Sequence, residues 1–388
     1  MIHEVEAFLK RFAAEQGARV RSASQRDIEP TGDGFIVGVR AELATADGVR
    51  STDVYIDTST QGVLASPEAA LTDSAGRNAI AWEYPADPAL PALTAMSFPE
   101  AAGQTLSKFG VEASGAVLTL EAYRPGKRAV FRIDTAQERY FAKVVRPSAA
   151  AEIDALHQAF LSAGVHVPES LGHSSAGLLL LRRLLGENAA AHIRAIAAGH
   201  GFLDGLAQLS DAMSRVPLRR RARQSLAIRA DWYAERMREQ IPHLAPEAAA
   251  VIPLITHRYA ADPPGHPVTI HGDLHLGQLF VDPAVPTRIL GVLDIDTAGL
   301  GDPADDYGAL YGHIRVSAAE TEAVDDVATA QAYSALASSI VSGFTGSRVR
   351  AIAATHLIGH ALAVGSRGTA AGHAVAAGLV AEAREMVG

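Results

Sequence analysis

The spacing of apolar residues changes along this chain, and the changes divide it. Glu4–Gln16 carries its apolar residues at helical spacing. Alternation follows in Gly34-Phe35-Ile36-Val37-Gly38-Val39-Arg40-Ala41 and Asp53-Val54-Tyr55-Ile56-Asp57, broken by Asp-Gly and Ser-Thr turns, which predicts half-buried strands. Residues 1–95 are therefore expected to form a small β-rich unit, with Pro85, Pro88 and Pro91 as a linker to the next. In residues 96–185, Ala116–Ala122 reads as a strand, Tyr123–Arg128 as a turn, and Ala129–Ile133 with Arg139–Val145 as a hairpin. A helix is predicted over Ala149–Ala163, stopped by Gly164. The apolar run Gly177–Leu181 is too short for a helix and reads as a buried strand. From residue 186 to 388 the pattern is mostly helical, with a loop and hairpin over Val268–Leu293 as the exception. The fold class this predicts is α+β.

Composition narrows the possibilities. The chain has 388 residues, enough for two or three domains. A net charge of −9 argues against a general nucleic-acid-binding role. The one basic cluster, Arg219-Arg220-Arg221 with Arg223, is expected to be a solvated helix face. With no cysteine, disulfides and thiolate chemistry are excluded. The N-terminal segment does not read as a signal peptide, and no apolar run approaches the ~20 residues needed to span a bilayer. A cytoplasmic protein without membrane or nucleic-acid partners is expected, as a monomer or homodimer.

The densest chemistry lies in His271-Gly272-Asp273-Leu274-His275-Leu276-Gly277-Gln278. The Asp273 carboxylate can receive a hydroxyl proton. Five residues later Gln278 offers an amide oxygen to a hard cation, and Asp294 arrives after one hairpin, Leu279–Val281 and Ile289–Leu293. Phosphoryl transfer needs these parts: a positioned acceptor, and Mg²⁺ on the nucleotide phosphates. A lysine projecting from an apolar strand, such as Lys143, is costly unless it has a specific role. No Walker A motif occurs, because Gly-Lys-Arg at 126–128 lacks the upstream glycine and the Ser/Thr, and no Gly-x-Gly-x-x-Gly loop occurs either.

His-Gly-Asp, glutamine five residues after the aspartate, Leu293-Asp294-Ile295-Asp296, and Gly301-Asp302-Pro303-Ala304-Asp305-Asp306 together resemble the aminoglycoside phosphotransferase and choline kinase group. The resemblance implies a two-lobed protein-kinase-like fold, with ATP and Mg²⁺ as cofactors. It casts Asp273 as the catalytic carboxylate, Asp294 and Gln278 as metal ligands, and Lys143 with Glu152 as the phosphate-binding ion pair. Tyr123–Arg128, including Arg128, would offer backbone N–H groups or charge to phosphate. Leu181 would lie against adenine at the hinge. Asp306 would brace the catalytic loop. Most members have asparagine where Gln278 stands. The loop text is similar to the maltokinase branch, which has glutamine there and an extra N-terminal cap; the β-rich first unit fits such a cap.

The acceptor is then expected to be a small sugar or amino sugar. Asp-Ile-Asp-Thr-Ala-Gly-Leu-Gly-Asp departs from the Asp-Phe-Glu-Gly-Glu-Pro of maltokinases, which argues against maltose. Acidic residues Asp296, Asp302 and Asp305 would suit an ammonium group, so glucosamine is preferred, with aminoglycosides as an alternative. Two carboxylates at alternate strand positions, Asp294 and Asp296, would share a face. His275 is a candidate for neutralising the transferred phosphate or contacting the acceptor. Two other classes compete: a metal-dependent hydrolase using His271, Asp273, His275, Asp294 and Asp296, and a catalytically dead binding module.

Overall fold

A computed structural model describes residues 3–66, 70–73 and 75–388. The chain forms two compact units. One takes the chain to Asp154 together with Ser170–Arg183; the other takes Ala155–Glu169 and Leu184–Gly388.

The first unit contains two five-stranded antiparallel sheets. Its first elements are α1 (His3–Glu15), β1 (Arg19–Thr31), β2 (Gly34–Thr45), β3 (Gly48–Asp57), α2 (Thr60–Ala65), β4 (Ala70–Thr72) and β5 (Asn78–Glu83). The strands lie in the order β1-β2-β3-β5-β4. Val37, Val39, Ala41 and Leu43 of β2 and Val54 and Ile56 of β3 fall on one face and bury against Val5, Phe8, Leu9 and Ala13 of α1. The polar β1, Arg-Val-Arg-Ser-Ala-Ser-Gln-Arg, has little apolar alternation to reveal it. It exists because it pairs along the length of β2.

The second sheet, β6-β7-β8-β10-β9, follows α3 (Ala92–Ser97) and α4 (Pro99–Ser107). It is built from β6 (Val117–Arg124), β7 (Arg128–Asp134), β8 (Arg139–Val145), β9 (Ser170–His173) and β10 (Leu178–Arg182), with α5 (Pro147–Ser162) after β8. One face, Ala129, Phe131, Ile133, Ala142, Val144, Leu178 and Leu180, packs on Leu90, Leu93, Met96 and Leu106. This packing overturns the expectation of a proline linker. Pro85–Pro91 leads directly into the cover of the sheet, so Leu90 is fully buried and Asp87 nearly so. The Asp87 carboxylate accepts hydrogen bonds from Gly126 N–H at 2.7 Å, Tyr123 O–H at 2.8 Å and Ala89 N–H at 2.9 Å. Burial holds its pKa above the usual carboxylate range. Trp82 Nε1–H donates to the same Tyr123 hydroxyl at 3.1 Å, and the Tyr55 ring stands edge-on to Tyr123 at 5.1 Å. The two sheets are thus sewn together through aromatic side chains.

The second unit is mostly helical. It begins with β11 (Glu187–Asn188), α6 (Ile193–Ala198), α7 (Phe202–Ser214), α8 (Ala230–Gln240) and α9 (Ala245–Ala261). Four short strands follow: β12 (Val268–Ile270), β13 (Leu279–Asp282), β14 (Val285–Val292) and β15 (Gly299–Gly301). The chain closes with α10 (Pro303–Glu322), α11 (Val327–Ser342), α12 (Ser347–Gly365) and α13 (Ala370–Val387). Strands β13 and β14 form the expected hairpin, and β12 pairs with β15. A single core runs through this unit, from Leu206 and Met237 to Leu279, Leu310, Leu357 and Leu379. No helix among the described residues is long and apolar enough to cross a membrane.

Candidate active site

The catalytic loop is held from both ends. Gly272 adopts φ +81°, where a Cβ would come within 2.7 Å of the Thr297 carbonyl oxygen, so only glycine fits. The amides on either side of this bend are fixed by one carboxylate: His271 N–H donates to Asp306 Oδ2 at 2.8 Å and Gly272 N–H to Oδ1 at 2.7 Å. Asp306 is buried, and burial raises its pKa. His271 is fully buried and its Nε2 lies 2.8 Å from the Leu293 carbonyl oxygen. The Thr297 hydroxyl donates to the His271 carbonyl at 2.9 Å. A loop so tied keeps Asp273, the next residue, in one place.

Asp273 has a partner that the sequence did not reveal. Its Oδ1 lies 3.0 Å from Arg223 Nη1. The basic cluster was expected on a helix face; instead Arg219–Arg223 runs extended beside β15. Ala222 N–H donates to the Leu300 carbonyl, Leu300 N–H to Arg220, and Arg223 N–H to Thr297. Pro217 stands just ahead of the run and disfavours a helix that continues through it, and that was the available signal.

Gln278 ends the short 3₁₀ turn Leu276–Gln278, after which β13 begins. Leu279 pairs with Val292, and Leu293 N–H donates to the Gln278 carbonyl at 2.8 Å. Asp294 therefore follows directly on the residue opposite Gln278. The Gln278 side chain is buried, and its Oε1 has no hydrogen-bond partner among the described residues. An amide oxygen buried without a partner costs about 1–3 kcal/mol. Coordination of a hard cation removes that cost, so the donor set fits Mg²⁺. Asp294 takes φ 54°, ψ 48°, the left-handed region that aspartate tolerates better than most residues.

This bend corrects the reading of Asp296. Strand β14 stops at Val292, and Asp296 lies in the 3₁₀ turn Ile295–Thr297, so strand alternation with Asp294 does not apply. Of the other two acids, one has a structural task. Asp302 caps α10, accepting from Ala304 N–H at 3.0 Å, and pairs with Arg348 at 2.5 Å. Asp305 is pushed up to about 6 by burial, beside the Ser225 hydroxyl and the other acids. Of the three acids proposed to hold an ammonium group, Asp302 is thus spent on capping and pairing. His275 is corrected too. Its Nδ1 accepts from Gly277 N–H at 3.1 Å, and burial lowers its pKa, so it does not supply the positive charge expected opposite a phosphate.

In the first unit, strand pairing sets Lys143 opposite Leu179 on β10 and Val130 on β7. Val145 faces Arg128, and Phe141 faces Leu181. Side chains two apart share a face, so Arg128, Lys143 and Leu181 all lie on the face that carries α5. There Leu181 packs with Val145, Leu179, Ala150 and Ile153. Lys143 is buried, and Glu152 is exposed on α5. The turn before β7 does not match its expected phosphate-facing role. Gly126 N–H is engaged by Asp87, Arg146 Nε donates to the Gly126 carbonyl at 2.9 Å, and Arg124 and Lys127 pair with Glu29.

The hydrolase reading requires His271, Asp273, His275, Asp294 and Asp296 as ligands of one metal. Among the described residues no group of three or more His, Cys, Asp or Glu is arranged to hold one, and His271 Nε2 is committed to the Leu293 carbonyl.

Comparison with known proteins converges on one family. No curated protein sequence matches the chain. Aminoglycoside phosphotransferase APH(4)-Ia has a similar solved structure, with TM-score 0.50 and 16% identity over 74% of this chain and 99% of that one. A thermostable variant of it in complex with ADP and hygromycin B gives 0.48 and 17% over 73% and 97%. Aminoglycoside 2'-phosphotransferase-IIIa in complex with GDP gives 0.47 and 16% over 74% and 98%. The fold is the two-lobed kinase-like one. Residues 121–340 match the model of the phosphotransferase enzyme family, more than half of the chain, and the protein belongs to that family.

Proposed function

We propose that this phosphotransferase moves the γ-phosphoryl group of ATP to a hydroxyl of a small sugar or amino sugar. The observation that carries the reading is the buried, unpartnered Gln278 Oε1, one hairpin from Asp294 and five residues from the braced Asp273. Asp273 orients the acceptor hydroxyl and takes its proton as the oxygen attacks phosphorus. The new O–P bond forms while the bond from phosphorus to the β–γ bridging oxygen breaks, and ADP leaves with that electron pair. Arg223 holds Asp273 in position. Gln278 and Asp294 would hold Mg²⁺, which when bound neutralises charge on the phosphates. Lys143 would do the same from its strand, with Glu152 as its partner and Leu181 beside the base.

A sugar acceptor is supported by the glutamine-containing loop and by the β-rich N-terminal sheet, both of the maltokinase type. Glucosamine is the first acceptor to test. ADP release, coupled to a spectroscopic assay, is measured over a panel of sugars and amino sugars with aminoglycosides alongside. The expected result is Mg²⁺-dependent release with at least one monosaccharide. Release with aminoglycosides alone would refute the sugar assignment, and release with nothing would refute the transfer itself.

A further inference from the structure

Helices α10 and α12 approach each other at two glycines. A Cβ at Gly308 would meet the Ile352 side chain at 2.6 Å, and one at Gly312 would meet His356 Cβ at 2.5 Å. Positions four apart share a helix face, so this face of α10 carries no side chains to hold α12 away. The residue after Gly312 therefore reaches the imidazoles of α12. The His313 ring lies 4.5 Å from His360 and 6.4 Å from His356, centroid to centroid. His275, from the catalytic loop, completes the group at 4.6 Å from His313. Four imidazoles thus stand together, one of them, His275, two residues after Asp273.

Their chemistry is specific. His356 is buried, while His275, His313 and His360 are partly open. Gly277 N–H donates to His275 Nδ1, so the neutral ring carries its proton on Nε2. His360 Nε2 is buried and has no hydrogen-bond partner among the described residues. Burial lowers all four pKa values: His313 to about 2, His356 to about 3, His360 to about 4, and His275 in the same direction. The rings are neutral at physiological pH, each with one donor and one acceptor. They are not arranged to hold a metal ion. The charges they feel are Asp273, Glu320 and Asp294 on the acidic side and Arg223 on the basic side.

We propose that His275, His313 and His360 form the acceptor-recognition surface, and that they select an uncharged polyhydroxyl ring. The inference rests on the sugar-kinase reading above. A hydroxyl both donates and accepts, as a neutral imidazole does. An ammonium group only donates, so it can use only the acceptor nitrogen of each ring. The imidazoles therefore read the hydroxyls flanking the one that is phosphorylated. Any amino group of the acceptor lies away from this surface, and polycationic aminoglycosides are rejected.

The test follows the histidine C2–H resonances of the full wild-type chain during titration with glucose, glucosamine and neomycin, together with steady-state kinetics. Resonances of His275, His313 and His360, assigned through single-site variants, are expected to shift with the sugar that is turned over and to stay in place with neomycin. His360→Leu should raise the acceptor KM about tenfold, the scale of one lost hydrogen bond, and leave the ATP KM within about twofold. His360→Gln, which keeps a donor and an acceptor, should restore most of it. Sugar turnover with unmoved imidazole resonances would overturn the inference alone. An unchanged acceptor KM in a folded His360→Leu protein would do the same. Should that variant fail to fold, the wild-type titration decides. No turnover of any sugar would overturn the reading beneath it, and this inference with it.

Discussion

The two sides of Asp273 are assembled from different distances along the chain. On one side, His271, Gly272, Gln278 and Asp294 come from one loop and one hairpin, fixed by short-range turns and the paired strands β13 and β14. On the other, Arg223, His313, His356 and His360 arrive from an extended segment and two helices, brought in by packing. On our proposals the first side holds the transfer machinery and the second selects the acceptor. Residues of the first side depend on a few local turns, whereas those of the second depend on how α10 and α12 pack.

Breaking the local side should have the largest effect. Asp273→Asn keeps the shape and removes the proton acceptor, so kcat should fall about 10²–10⁴-fold, with ATP binding retained by calorimetry. Full turnover would remove Asp273 from its role. Asp306→Ala comes next. It strands the His271 and Gly272 amides that Asp306 now accepts, at roughly 1–3 kcal/mol for each buried group. Urea unfolding should show the loss together with reduced kcat, and unchanged stability would mean the loop is held by other contacts.

The packed side should answer more gently. Gly312→Ala places a methyl group against His356, and overpacking of this kind costs about 1–3 kcal/mol. The acceptor KM should rise while Mg²⁺ dependence stays the same. A variant that alters both alike would dissolve the distinction between the two sides.

Acid gives the finest probe. His313, His356 and His360 have folded pKa values depressed to about 2, 3 and 4 by burial. Below the unfolded value of about 6.5 the unfolded chain binds protons that the folded chain refuses. Stability should therefore fall as pH drops from about 6.5 toward 4, where His360 begins to protonate in the fold. Asp305, raised to about 6, and Asp87 and Asp306, also raised by burial, act in the opposite direction, so the histidine part is read as the difference between wild type and His360→Leu. Denaturant midpoints whose change between pH 7 and 5 is the same in both would contradict a buried neutral cluster.

The same contrast explains what the sequence could and could not reveal. Asp273, Gln278 and Asp294 were legible because a loop and a hairpin place residues at fixed short separations. Arg139–Val145 was legible as a strand because its inner residues alternate between two buried faces. Arg223 was not, since a run of arginines says nothing about the strand it lies beside. His313 and His360 were hidden for a different reason: only the approach permitted by Gly308 and Gly312 makes them neighbours. The prolines at 85, 88 and 91 suggested a spacer. Whether such a segment hangs free depends on what it covers, and here Leu90 and Leu93 cover a sheet.

The most direct measurement is a crystal structure of the protein with Mn²⁺ and a non-hydrolysable ATP analogue, the metal located by its anomalous scattering. Mn²⁺ stands in for Mg²⁺, whose oxygen ligands lie at about 2.1 Å. The expected result is a metal contacting both Gln278 Oε1 and the Asp294 carboxylate. A nucleotide-bound metal that touches neither, with the Gln278 oxygen still buried and unpartnered, would contradict the assignment of this site.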